Sequence, residues 1–486
     1  MRGIPIAALA LVWSLAFAAS EIVPAESAQP SLDTALAALR VDDIRSLEFD
    51  AGGKYYQFGQ APAPELAWPA FEVDSYFAAL DFEHAAVHSR YHRVQVQEPG
   101  RLRPNSEQTM DQFAKDGVTW NLTPLPTAIP VNLTERNAEI WASPQGFVRA
   151  ARAHAATLRS GPDGITASFV LDGGFRYEGL ISTTGDVVWV RTFMDSNVLG
   201  DTPIVWRYAD YRDFDGVRFP AHIERRVANL PWYELMVTRV RINQAVPFEV
   251  PAVIADNPAP VTNVVETMQL APGLWLLAGG THNSVIVEQQ FGLVVIETPL
   301  NEQRADAVLA RARELVPSKL IVYVINTHAH FDHAGGLRTV AAAGIPIIAQ
   351  ARNVGYYQLA WAQPRTLNPD RLSKSKRKPR FRPFTTKLDL PDGKHPIEIH
   401  TIDGSGHNDA FAMVYLPADK VLVEADAWTP APPGVTPPAQ VNPLWTNLDM
   451  NIRRLGLDVA RIVPLHGTVQ NIEAFRDAVA PAVTTN

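Results

Sequence analysis

The segment "NTHAHFDHAGG", residues 326–336, places His328, His330, Asp332 and His333 within six positions. It follows "LIVYVIN", a short apolar run of the kind that forms a fully buried strand. Upstream, "NSVIVEQQFGLVVIETP" reads as two strands. Between them, "EQRADAVLARAREL" has apolar residues at 305, 308, 309, 312 and 315, the stripe of an amphipathic helix. Strand, helix, strand is a βαβ unit. The polar cluster sits at the end of its second strand, and open α/β sheets build their sites just beyond such ends. Imidazole and carboxylate groups rarely crowd together between such apolar flanks, so the cluster calls for partners elsewhere in the chain.

The same rule finds them. "IEIHTIDGSGH" is a strand and a glycine loop ending at His407, "KVLVEAD" brings Asp426 to a strand end, and "RIVPLHG" does so for His466. His328 and His330, two apart in an extended loop, put both rings on one side. With His407 they make a three-histidine metal site whose fourth tetrahedral position is left for water. Asp332, His333 and His466 make a second site, and Asp426 bridges the two with its two oxygens. Two ions about 3.5–4 Å apart lower the pKa of a shared water and clamp a developing oxyanion. Zinc suits nitrogen-rich sites joined by carboxylate, and two Zn2+ per chain are expected. Asp332 is the catalytic candidate, able to hold the attacking water and pass its proton to the leaving group. Gly335 and Gly336 allow close backbone approach beneath the site.

"THAHFDH", followed in order by His407, Asp426 and His466, resembles the metallo-β-lactamase superfamily over about residues 262–475. The resemblance implies an αββα sandwich and zinc chemistry. The presence of Asp426 looks more like the glyoxalase II and lactonase branches than like true β-lactamases. Three positions depart from the common pattern: Glu297 stands where aspartate is usual, "GSGHNDA" surrounds His407, and Ala425 precedes Asp426 where glycine is common.

With 486 residues the chain is too long for one ordinary core. The expected fold class is α/β: a mainly antiparallel β domain at 30–250, then the metallo-β-lactamase-like domain at 262–486. The proline-rich stretch 243–261 marks the boundary. Asp-Gly, Gly-Gly and Thr-Gly turns punctuate the first domain, with helices expected at 31–48 and in "PQGFVRAARAHAATL". "DYRDFDGVRFPAHI" is similar to the sheet of lipoprotein-carrier domains. Residues 1–18 read as a signal peptide: Arg2, an apolar stretch, and a small-x-small end at Ala16-Phe17-Ala18. A periplasmic or secreted protein without membrane insertion follows. There is no cysteine, which excludes disulfides, thiolate ligands and cysteine nucleophiles. The net charge of -8 gives no electrostatic reason to bind nucleic acid.

Other features have plainer readings. His84, His88 and His92 are spaced by four and would share a face on a helix, but "AVHSRYHRVQVQ" reads as a strand on whose solvated face His88 and His92 lie; His282 is either a neighbour of the site or a plain loop residue. The basic run 365–383 reads as a solvated lid, with a cover that attracts an anionic substrate as the alternative, and 428–443 as a semi-rigid pocket wall. Tyr356, Tyr357, Trp361, Trp428 and Trp445 together would suit an apolar or ring-bearing substrate. The sum is an exported dinuclear zinc hydrolase acting on a small-molecule ester, lactone or amide, with a β-lactam as the alternative and a homo-oligomer as a possible assembly. The rival from another class is a binding protein, its N-terminal sheet holding a lipophilic molecule and its metal domain vestigial.

Overall fold

A computed structural model of the chain describes residues 31–122, 124–259, 263–431, 435 and 440–480. The leader read at 1–18 and much of the proline-rich wall at 428–443 lie outside the described residues.

The N-terminal half is one 13-stranded antiparallel sheet. Its two halves are meanders, the strands from Ser46 to Ala128 and those from Thr157 to Ile242. They meet where Ser46–Tyr56 pairs with Leu230–Ile242, Leu47 opposite Ile242 and Tyr55 opposite Tyr233. At Asp215-Gly216 both residues have positive φ, 51° and 84°, the conformation that joins twisted strands by a two-residue hairpin.

The helix expected over 31–48 is confined to Asp33–Ala38. From Ser46 the chain is strand, because "SLEFD" alternates and finds partners on both sides, at 230–242 and 70–81. Two helices, Leu133–Ala142 and Pro144–Ala153, pack against the sheet. The second matches the sequence reading, and Ser143 caps its N-terminus by accepting from Gly146 N. The first has no clean apolar stripe. It buries Arg136, whose guanidinium donates to the carbonyls of Phe113 and Trp120.

Side chains fill the space under these helices. Phe49, Tyr76, Trp206, Phe219 and Leu235 are buried there. Arg225 is also fully buried, ion-paired to Glu135 and Glu139 and stacked over Trp206 and Trp232. The remaining space is about 20 Å³, room for a water and no more. That part of the sheet's interior leaves no room for a lipophilic molecule.

The last strand of this sheet ends at Ile242 and the next sheet begins at Glu266. The C-terminal half has two sheets, one of seven strands from Glu266 to Phe384 and one of six from Lys387 to Asn471. Val285, Ile296 and Ile325 of the first share a core with Ile399, Val414 and Val463 of the second. Helices Glu302–Leu315 and Leu337–Ala342 bury Val308, Leu309, Leu337 and Val340 against one outer face. Helices Pro443–Leu455 and Ile472–Val479 cover the other with Leu448 and Phe475. This is the expected αββα sandwich. Parallel pairs lie in both sheets, Gly292–Ile296 with Ile321–Ile325 and Val421–Glu424 with Arg461–Pro464. Their C-terminal ends point to one rim. No helix among the described residues is long and apolar enough to cross a membrane.

Candidate metal centre

The strand Ile321–Ile325 ends four residues before Ala329, and His328 and His330 follow it in extended chain. Phe331–Ala334 is a single helical turn that carries the adjacent Asp332 and His333, whose donor atoms lie 3.7 Å apart. Gly335 lets this turn close against the neighbouring loop; a Cβ there would meet Leu300 O at 1.9 Å. Asp426 lies just past Val421–Glu424, and His466 just past Arg461–Pro464. His407 comes from the loop between Ile397–Thr401 and Ala412–Leu416.

All seven residues converge. The donor atoms of His328, His330 and His407 lie within 4.8 Å of one another. Those of Asp332, His333 and His466 do as well, together with His282. Asp426 stands between the sets. Its Oδ2 lies 3.4 Å from His328 Nε2, 3.5 Å from His407 Nε2 and 2.9 Å from His333 Nε2. Its Oδ1 lies 3.2 Å from His466 Nε2.

Four of the five candidate histidine ligands have their other ring nitrogen engaged. His333 Nδ1 donates to Glu297 at 3.3 Å, and His466 Nδ1 to Thr281 O at 2.9 Å. His328 Nδ1 donates to Thr327 Oγ1 at 3.1 Å, and that hydroxyl donates to Glu297 at 2.5 Å. His330 Nε2 donates to the Ala61 carbonyl at 2.9 Å. These bonds fix the tautomers and turn the free nitrogens inward, the usual arrangement around a metal-bound imidazole.

The inward atoms fit a cation. His407 Nε2 and His328 Nε2 are 3.2 Å apart, and His333 Nε2 and His466 Nε2 are 3.0 Å apart. Ligands on tetrahedral zinc, at about 2.0–2.1 Å, are separated by about 3.3 Å. Asp426 Oδ2 is buried and accepts no well-formed hydrogen bond among the described residues. An unpartnered buried carboxylate oxygen is costly unless an ion meets it.

The electrostatics point the same way. Burial, then neighbouring His330 and His333, pushes His328 well below the usual histidine range. Burial, then His407, brings His330 down to about 3, so both rings are neutral and able to ligate. Burial works to raise the carboxyls of Asp332 and Asp426, but the imidazoles, His333 foremost, hold both well below the carboxylate range. At His333 burial is outweighed by Asp426, Asp332 and Glu297, which raise it. Partly buried carboxylates crowded together here call for positive charge, which a metal ion would supply.

Further residues contribute, and His282, read from sequence as either a neighbour of the site or a plain loop residue, is the former. His282 is a neighbour of the second set, its Nε2 3.2 Å from Asp332 Oδ2. Glu297, the departure from the common pattern, is buried and supports both sets through Thr327 and His333. The N-terminal half reaches in as well. Gln60 Nε2 donates to Asp332 Oδ1 at 2.9 Å. Gly59 (φ 78°) lies so close to Phe331 that a Cβ would meet its ring at 2.7 Å. Arg103 donates to the carbonyls of Gly406 and His407 at 2.7 and 3.0 Å.

Other expectations change. Tyr357 is core, donating to Asn326 Oδ1 at 2.6 Å, and Trp428 and Trp445 are buried in the sandwich. They pack; they do not line a substrate pocket. The basic run 365–383 is not simply a solvated lid, since Arg365 is buried and ion-paired to Asp195 at 3.3 Å. His88 and His92 pair with Asp111, Asp74 and Glu107 on neighbouring strands.

Residues 277–466 match the sequence profile of the metallo-beta-lactamase superfamily. This domain belongs to the metallo-β-lactamase superfamily. A curated relative, "(R)-specific secondary-alkylsulfatase" from Pseudomonas sp, is 27% identical over 208 residues. That match covers 36% of this chain and 31% of the relative, so the chain spans about a third of the relative's length. Among solved structures, a metallo-beta-lactamase from Pontibacter korlensis is similar at 16% identity and TM-score 0.35, covering 45% of this chain and 98% of that one. One from Hirschia baltica is similar at 18% identity and TM-score 0.33, covering 44% and 96%. The matched region lies in the C-terminal half, and the 13-stranded sheet lies outside it.

Proposed function

We propose that the protein is a dinuclear zinc hydrolase of small-molecule esters, lactones or amides. The observation that carries this is Asp426, set between two three-residue donor sets with both oxygens turned to imidazole nitrogens. His328, His330 and His407 would hold one ion, and Asp332, His333 and His466 the other, with Asp426 shared. Bound zinc would supply Lewis-acid polarisation of the substrate's carbonyl and acidify water between the sets.

The chain's own residues account for the rest. Asp332 is held by Gln60 on one oxygen and His282 on the other, with its side chain 32% exposed toward a cleft. It can orient water toward the acyl carbon and receive that water's proton. The new carbon–oxygen bond forms as the bond to the leaving group breaks, and Asp332 returns the proton to the departing oxygen or nitrogen. A scaffold would need no such proton carrier. A second reading, hydrolysis of a sulfate ester, is favoured by the name of the Pseudomonas relative. The leader read at 1–18 would carry the protein out of the cytoplasm.

The test is a panel of carboxylic esters, lactones, β-lactams, alkyl sulfates and phosphodiesters, assayed with metal content measured on the same preparation. Turnover of one acyl class with two zinc ions per chain is expected. Turnover of alkyl sulfates alone selects the second reading, and one tightly held iron per chain would overturn hydrolysis by paired zinc.

A further inference from the structure

Asp332 faces a cleft of about 410 Å³ between the two halves of the molecule. The superfamily domain contributes Thr281, Leu300, Phe331 and Asp332 to it. The N-terminal sheet and its loops contribute Phe58, Ile129, Val131, Met194 and Trp232. The volume is that of a small-molecule site.

Its chemistry is one-sided. Phe58 stacks on Trp232 with centroids 5.0 Å apart and planes within 7°, and meets Phe331 edge-on at 5.1 Å. The polar tip of Trp232 is turned away, its Nε1 donating to Tyr55 OH at 2.6 Å, so the indole has no donor left for the cleft. Val131 stands at the mouth with 75% exposure, an apolar side chain that the sheet's own core does not use. Among the described residues no Lys, Arg or His lines the space; its ionisable lining groups are Glu135, Asp195 and Asp332. Glu135 is tied to Arg225, and Asp195 to Arg365. An anionic group would meet carboxylates there and no cation, whereas an alkyl or hydrocarbon ring would cover aromatic surface.

We propose that this cleft is the specificity pocket of the metal centre, built largely by the N-terminal sheet, and that it takes an uncharged apolar group of the substrate. The proposal rests on the hydrolytic reading above for the identity of its occupant. The apolar group lies against Trp232 and Phe58, which places the scissile bond at Asp332 and the convergent histidines. The N-terminal sheet is then a selector for the superfamily domain.

The test uses the full zinc-loaded chain and p-nitrophenyl acetate, butyrate and octanoate, compared between wild type and Val131→Asp. Val131 is exposed, so the variant leaves the core untouched. The wild type should favour octanoate over acetate in kcat/KM by about ten-fold or more, and the variant should lose that ratio. Saturation-transfer NMR with 1-octanol reads the pocket without turnover: a signal in wild type, lost in Val131→Asp. Octanol binding lost in the variant, with no ester turned over, sustains the pocket and sinks the ester reading. Ester turnover indifferent to chain length, or an octanol signal that is absent or the same in both proteins, overturns the pocket and leaves the hydrolase reading standing.

Discussion

His333 Nδ1 donates to Glu297 at 3.3 Å, and both side chains are fully buried. Glu297 also takes the Thr327 hydroxyl, which receives His328 Nδ1, and Asn326 Nδ2 at 2.9 Å. One carboxylate therefore orients a histidine in each donor set. It does so from a positive φ of 68°, uncommon for a residue with a side chain and the kind of backbone strain that persists where a site over-determines it.

Glu297→Gln keeps the size of the side chain and removes its charge, and its amide NH2 must face a donor. The affected bond to His333 is direct, whereas that to His328 passes through Thr327. Zinc affinity of the second set should fall about 10–100-fold, with a smaller change in the first. Competition with a chelator, following both binding steps, reads the difference. Equal affinities in variant and wild type would make Glu297 a fold residue only.

Asp332→Asn should leave a folded protein with the same far-ultraviolet circular dichroism. The amide can still contact Gln60 and His282 but cannot receive a proton. Turnover should drop by on the order of 10²–10⁴, with KM little changed. Wild-type rates in this variant would mean that Asp332 only holds its neighbours in place.

How much of this site could be read from the chain alone follows from sequence separation. His328 to His333 are adjacent and follow an apolar strand, and His407, Asp426 and His466 sit at or beyond strands with their own apolar runs, so pattern and strand-end logic point to the seven residues that the fold brings together. Gln60, Ala61 and Arg103 act on Asp332, His330 and Gly406 across 272, 269 and 303 residues. Nothing in a loop such as "FGQAPAP" announces such a contact. Aromatic residues misled for a related reason. Trp428 and Trp445 are near a ligand in sequence but face the sandwich core, whereas Trp232, from the other half, faces the cleft beside Asp332. The helix Leu133–Ala142 escaped because its buried face includes Arg136, a side chain that pattern reading assigns to solvent.

Removing Asp426 should loosen both ions unequally. His328, His330 and His407 remain a complete three-nitrogen set. The second set keeps Asp332, His333 and His466 but loses the carboxylate that lies 2.9 Å from His333 and 3.2 Å from His466. Asp426→Ala should purify with about one zinc in place of two, with activity reduced and partly restored at high added zinc. Elemental analysis of both proteins, prepared side by side, decides it: loss of both ions, or of neither, would contradict a shared carboxylate.

Arg103 offers the converse experiment, acting on the first set from outside it. Its guanidinium donates to the carbonyls of Gly406 and His407, the loop that delivers the third histidine. Arg101 braces the same loop through Asp409 at 2.7 Å. Both arginines belong to the N-terminal half, so the loop is held between the two halves of the molecule. Arg103→Ala leaves two carbonyls to water and frees His407 to wander, while His333, His466 and Glu297 keep every contact described for them. The first set should then lose zinc affinity by several-fold or more, in the range of other supporting contacts at metal sites, and the second set should hold. This is the opposite order from Glu297→Gln. Measuring both variants in one chelator titration compares the two supports directly, and the same set weakening in both would show that the two donor sets bind as a single cooperative unit.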